Sequence, residues 1–152
     1  MLRDFILLQM LSTLSAGLFA GAAVYINLVE HPARMECGAG LAVTQFAPSY
    51  RRAAILQGAL ATIGFLSAAA AWLRGSSFWW LIGGIVLVLV IPFTLVVVFP
   101  TNKHLLDPSL DRNSELTSKL LLRWGRLHAV RSVLGLISFL IFIFLLERNA
   151  LR

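Results

Sequence analysis

Three stretches of this chain, Phe5–Val29, Ala53–Leu73 and Gly75–Asn102, contain no charged side chain. Each meets or exceeds the roughly 20 residues that a helix needs to cross about 30 Å of hydrocarbon. A fourth stretch, Ser132–Leu146, reaches that length only if the turn holding His128 and Arg131 is counted with it. Within lipid every backbone polar group must be satisfied inside its own segment, which makes each run a helix. The sequence therefore predicts an all-α fold. It is an antiparallel bundle of four transmembrane helices, with spans near 5–29, 53–73, 78–99 and 127–147, and forms one domain. Composition points the same way: of 152 residues, 59% are hydrophobic and only 13% charged, whereas a soluble domain of this size exposes more charge. The first span is expected to be retained, because Asp4 interrupts a basic leader and the apolar run exceeds the ~7–15 residues of a signal peptide.

The net charge is +6. The basic residues are spread beside the spans and leave no lipid-free basic face, so membrane lipid headgroups explain them and nucleic acid does not. Arg3, Arg74, Arg148 and Arg152 flank the termini and the second loop. Arg34, Arg51, Arg52, Lys103, Arg112, Lys119, Arg123 and Arg126 flank the first and third loops, a count of eight against four. Positive residues favour the cytoplasmic face, so the expected topology has those two loops in the cytoplasm and both termini outside. The membrane would be a plasma membrane, such as a bacterial inner membrane. A single cysteine, Cys37, excludes an internal disulfide and a CxxC pair, and with them a quinone-linked thiol oxidoreductase.

Polar residues are placed with helical periodicity. Trp124, His128, Arg131, Gly135 and Ser138 recur at steps of four, three, four and three, on one face of the last helix. Arg131 lies about 7 Å past Arg126 along the axis, and an arginine at such depth costs on the order of 2.5–3.5 kcal/mol unless it faces the bundle interior. Thr13, Ala16, Ala20, Ala23, Asn27 and Glu30 form a similar stripe on the first helix; Gln57, Ala61, Gly64, Ala68 and Ala71 form one on the second. Small residues at this spacing allow close helix approach, within one chain or between two copies of a homo-oligomer.

Several boundaries can also be read. Pro32 disfavours helix at His31, so the first span is expected to turn out there. The following loop, Pro32–Tyr50, is expected to fold back over the bundle mouth, partly helical. Phe78, Trp79 and Trp80 mark the opposite interface. Pro92 implies a kink in the third span, and Pro100-Thr-Asn102 its end. In the third loop, Lys103–Arg123, Leu116, Leu120 and Leu121 suggest a short interfacial helix before the last span. His104 reads as an interfacial residue.

Antiparallel connectivity brings the end of the first helix, the start of the second, the end of the third and the start of the fourth to one side of the membrane. Glu30, His31, Gln57, Asn102, His128 and Arg131 then meet at one level and predict a polar pocket. Three uses suit these side chains. His128 or Glu30 can act as a base beside Arg131, which would stabilise an oxyanion. Glu30, His31 and His128 are alternatively the candidate ligands for a metal ion, although no firm cofactor follows from their spacing. A salt-bridge network, Glu30 with Arg131 or Arg51, would instead fix the bundle without chemistry.

Four motifs, Glu30-His-Pro-Ala-Arg34, Pro48-Ser-Tyr-Arg51 with Gln57 downstream, Pro92-Phe-Thr running to Pro100-Thr-Asn102, and Trp124-Gly-Arg-Leu-His-Ala-Val-Arg131, occur in order along the chain. Together they resemble the anthrone oxygenase-like family of small four-helix membrane proteins. The resemblance implies oxidation of an anthrone to an anthraquinone without a recognised cofactor. His128 would form the enolate and Arg131 hold its oxygen, with Glu30 and His31 in support. Asn102, Trp124, Gln57, Tyr50 and Arg51 would receive the flat aromatic substrate, drawn laterally from lipid. The rival expectations are a non-catalytic binder of a small molecule or lipid, and an interaction subunit of a membrane complex.

Overall fold

The computed structural model describes residues 2–150, and the side chains of 6–148 within them. Arg152 of the charge count lies outside the described residues, as do the side chains of Arg3 and Asp4. Four long helices make the fold: α1 (residues 2–36), α2 (Ala39–Leu73), α3 (Phe78–Leu105) and α4 (Glu115–Ala150). Each is long and apolar enough to cross a membrane. No strand occurs among the described residues. Leu14, Leu18, Ile55, Leu66, Val96 and Leu140 are among the many large apolar side chains on the outer surface, as lipid contact requires of an integral membrane protein.

Helix α1 packs against α2 and α4, and α3 packs against the same two, so the helices go round the bundle in chain order. Two apolar clusters lie one above the other inside it. One is built from Ala16, Phe19, Ala61, Ala68, Trp80, Leu87 and Phe142, with Trp80 stacked on Phe142 at 5.2 Å between ring centroids. The other is built from Ile26, Val43, Phe46, Val98, Leu121 and Trp124, at the end where α1 meets α2. The small-residue stripes face inward. Gln57, Ala61, Gly64, Ala68 and Ala71 are all buried, as are Trp124, His128, Arg131, Gly135 and Ser138. Gly64 sits where three helices touch: a Cβ there would lie 2.6 Å from Leu87 Cδ2 and 3.2 Å from Ser15 Cβ.

The helices run further than the prolines suggested. Helix α1 does not turn out at His31. Residues Ile26–Glu30 widen into a π turn in which His31 N–H reaches Ile26 O, and an α-helix with Pro32 in its first turn then continues to Glu36. Proline is tolerated there because a first-turn residue needs no N–H partner. The same device recurs in α3, where the π turn Thr94–Val98 precedes Phe99 and Pro100, so the span does not end at Pro100 but continues to Leu105. Upstream, α3 is interrupted at Leu89, just before Pro92, where the kink was expected. The expected first loop shrinks to a turn at Cys37 and Gly38, whose φ of 85° suits glycine. Burial of Ala42, Val43 and Phe46 holds the rest of it in α2, with Pro48 inside the helix. Residues 116–121 are helical and run without a break into the last span. Trp80 is a core residue and not an interfacial one, whereas Phe78 and Trp79 are exposed. His104 is exposed, as an interfacial residue should be. In the 106–114 connection, Ser109 gives Asp107 Oδ1 its hydroxyl (2.7 Å) and its N–H (2.9 Å), holding that carboxyl below its ordinary value.

Candidate functional site

The first turns of the membrane-embedded part of α4 carry the centre of the site, because their inward face places Trp124, His128 and Arg131 one turn apart. His128 is 1% exposed and its Nδ1 lies 2.7 Å from Asn27 Oδ1. Asn27 fixes the roles in that contact. Its Nδ2 donates to the Gly125 carbonyl at 3.0 Å, which can only accept, so its Oδ1 faces both His128 and the Ser132 hydroxyl, a donor at 2.6 Å. Oδ1 accepts twice, and Nδ1 of His128 must carry a hydrogen. In the neutral ring Nε2 then holds the lone pair.

Arg131 is 8% exposed and donates from Nη2 to Gln57 Oε1 at 2.6 Å. Its guanidinium also lies over the Phe19 ring, 5.9 Å from the centroid. No carboxylate among the described residues pairs with it, and its buried Nε has no partner. Gln57 Nε2 is likewise buried without a partner. A desolvated cation beside an amide with a spare donor is a site for anionic oxygen.

These groups open into a cavity of about 180 Å³ walled by α2, α3 and α4, with Ile26 and Arg34 of α1 at its edge. Its polar wall is Arg34, Ser49, Tyr50, Gln57, Thr94, His128 and Arg131; its aromatic and aliphatic wall includes Phe46, Trp124, Ile26, Val90 and Ile91. The rings form a connected set. Trp124 meets His128 at 4.8 Å, His31 at 5.2 Å and Phe46 edge-on at 5.2 Å, and Phe46 stacks on Tyr50 at 5.6 Å.

The residues expected from sequence are sorted by this geometry. His128, Arg131, Trp124, Gln57 and Tyr50 share the cavity wall. His31 is buried against Trp124 without reaching the wall, and Asn102 is fully buried, its amide atoms unpartnered, also off the wall. Arg51 is exposed and outside the cavity. Glu30 pairs with Arg34, and neither with Arg131 nor with Arg51. It also accepts from Ser49 Oγ at 2.7 Å and Gln45 Nε2 at 3.0 Å. Its carboxylate is thus engaged at the rim, and among the described residues no three His, Cys, Asp or Glu side chains converge as metal ligands would. Asn27, which bonds to His128, and Arg34, Phe46 and Ser49, which line the cavity, are residues of the candidate site that motif reading missed. Asn27 was visible on the α1 stripe, and Arg34 and Ser49 lay inside two of the quoted motifs.

Fold and site together define an integral membrane four-helix protein with an aromatic-walled cavity holding a buried imidazole and guanidinium. The chain belongs to the anthrone oxygenase family, whose sequence profile matches residues 46–141. That span contains every cavity residue named above except Ile26 and Arg34. No curated protein and no solved structure matches the chain.

Proposed function

We propose that the cavity binds a flat, lipophilic aromatic ketone of the anthrone type and oxidises its methylene with dioxygen. The reading rests on one observation: a buried arginine with no carboxylate partner among the described residues stands one helical turn from a histidine whose basic nitrogen is fixed as Nε2. An anthrone methylene is acidic because its carbanion is delocalised onto the ketone oxygen. Nε2 of His128 takes the proton, and Arg131, aided by Gln57 Nε2, stabilises the enolate oxygen. The enolate passes one electron to dioxygen, and the resulting pair combines into a C–O bond. Protonation by the imidazolium gives a hydroperoxide. Loss of the remaining C–H proton with cleavage of O–O forms the second carbonyl and releases water, so one anthrone and one dioxygen yield one anthraquinone and one water. Phe46, Tyr50 and Trp124 supply faces and edges for the ring system.

The test is oxygen uptake with anthrone by the purified protein in lipid nanodiscs, compared with His128→Gln. The variant is expected to bind anthrone while losing turnover by about 100-fold or more, in the range of general base removal. A change in affinity with no turnover in either protein would favour a binding protein. Stoichiometric copurification of a second chain would favour an interaction subunit. Near-stoichiometric metal in the wild type, lost in both His31→Ala and His128→Ala, would replace the base mechanism by a metal-dependent one.

A further inference from the structure

Part of the cavity wall is made of small residues. Ala53, Ala54 and Gly58 of α2 line it together with Val90, Ile91, Thr94 and Leu95 of α3. Ala54 and Leu95 line the cavity and are also exposed on the outer surface of the bundle. Gly58 lies one turn inward from Ala54, and a Cβ built on it would meet nothing within 4 Å. This sets it apart from Gly64 on the same helix, whose Cβ would strike Leu87. A glycine inside a helix costs about 1 kcal/mol against alanine, and at Gly58 no close packing requires it. The α3 part of the wall is irregular, from the interruption at Leu89 through the π turn Thr94–Val98. The exposed Arg51 and Arg52 mark the headgroup level, so Ala54 and Gly58 stand about 3 and 9 Å deeper along the helix, beside acyl chains.

We propose that Ala54, Gly58 and Leu95 frame a portal through which the cavity is loaded from the hydrocarbon of one leaflet, and that Gly58 sets the width of the ring system admitted. The ligand class is therefore an uncharged, planar, fused-ring molecule dissolved in lipid. Anionic water-soluble aromatics would have to pass the Arg34–Glu30 rim instead. This rests on the cavity being a ligand site, as the proposed function holds.

The experiment uses the full chain in phosphatidylcholine vesicles and follows quenching of tryptophan fluorescence by anthrone after rapid mixing, with phenol as a single-ring control. The wild-type association rate is expected to follow the ratio of anthrone to lipid and not its aqueous concentration. Gly58→Leu and Ala54→Trp are expected to slow anthrone association by about tenfold or more, while phenol association stays within about twofold and the thermal midpoint is unchanged. Unaltered anthrone rates in both variants, or a rate that follows aqueous concentration, overturn the portal and leave the site standing. Absence of saturable quenching in the wild type overturns both.

Discussion

Asn27 accepts from Ser132 and from His128 Nδ1 through one oxygen, and donates to Gly125 O through its nitrogen. One amide thereby sets the tautomer of the imidazole and ties α1 to α4. Asn27→Leu takes a partner from three buried groups; Ser132 Oγ keeps a second acceptor in His128 O at 3.4 Å, while the imidazole N–H left unpaired costs about 1–3 kcal/mol before relaxation. The expected outcome is a lower thermal midpoint with anthrone affinity preserved and turnover reduced about tenfold or more, because Nδ1–H is no longer favoured. Equal loss of affinity and turnover would count against a positioning role. Arg34 makes the corresponding point about legibility. The Glu30–Arg34 pair has i, i+4 spacing and was readable in principle, but only if the helix was carried through Pro32. Reading the proline as a terminus assigned Glu30 to the wrong arginines.

At the scale of the helix, periodicity was legible wherever small or polar residues formed a stripe, since side-chain direction follows from 3.6 residues per turn. Helix ends were not. Pro32, Pro48 and Pro100 are local breakers by their chemistry, yet the structure absorbs the first and third behind π turns and holds Pro48 within α2 by burying Val43 and Phe46 beside it. Those are tertiary effects that no local window contains. Trp80 failed for a related reason, because its place depends on the Phe142 ring of another helix. The two glycines of α2 give a direct check. Gly64→Ala is expected to lower the unfolding midpoint in mild detergent by an amount equivalent to about 1–3 kcal/mol, through the clash with Leu87 and Ser15. Gly58→Ala should leave it unchanged or raise it, by up to about 1 kcal/mol. Matching effects at both positions would mean that the space beside Gly58 is not open.

For the molecule as a whole, the bundle and the side on which its polar residues collect were readable because connectivity alone fixes which helix ends coincide. The cavity wall was readable only in part, since Phe46 and Ser49 lay in a stretch expected to be a partly helical loop. Orientation in the membrane can be tested with the native chain. Cys37 is the single cysteine, is exposed, and occupies the turn between α1 and α2 at the end that holds the site. On the charge count that end is expected to face the cytoplasm. A membrane-impermeant maleimide should therefore label permeabilised cells and spare intact ones; labelling of intact cells would reverse the topology.

The π turns of α1 and α3 each insert one residue into the hydrogen-bond ladder, and one residue of an α-helix is worth about 100° of rotation. Below each turn the helix has been wound on like the hand of a clock relative to the part above. The upper half of the bundle can keep the phase that its alanine and glycine seams demand, while the lower half shows His31, Arg34 and Asn102 inward in a different phase. Residue number in these two places is therefore an angular setting: closing the 26–30 turn into plain α-helix with every residue kept would swing His31 and Arg34 away from Trp124, whereas deleting one residue there would remove the extra turn width and leave them in place.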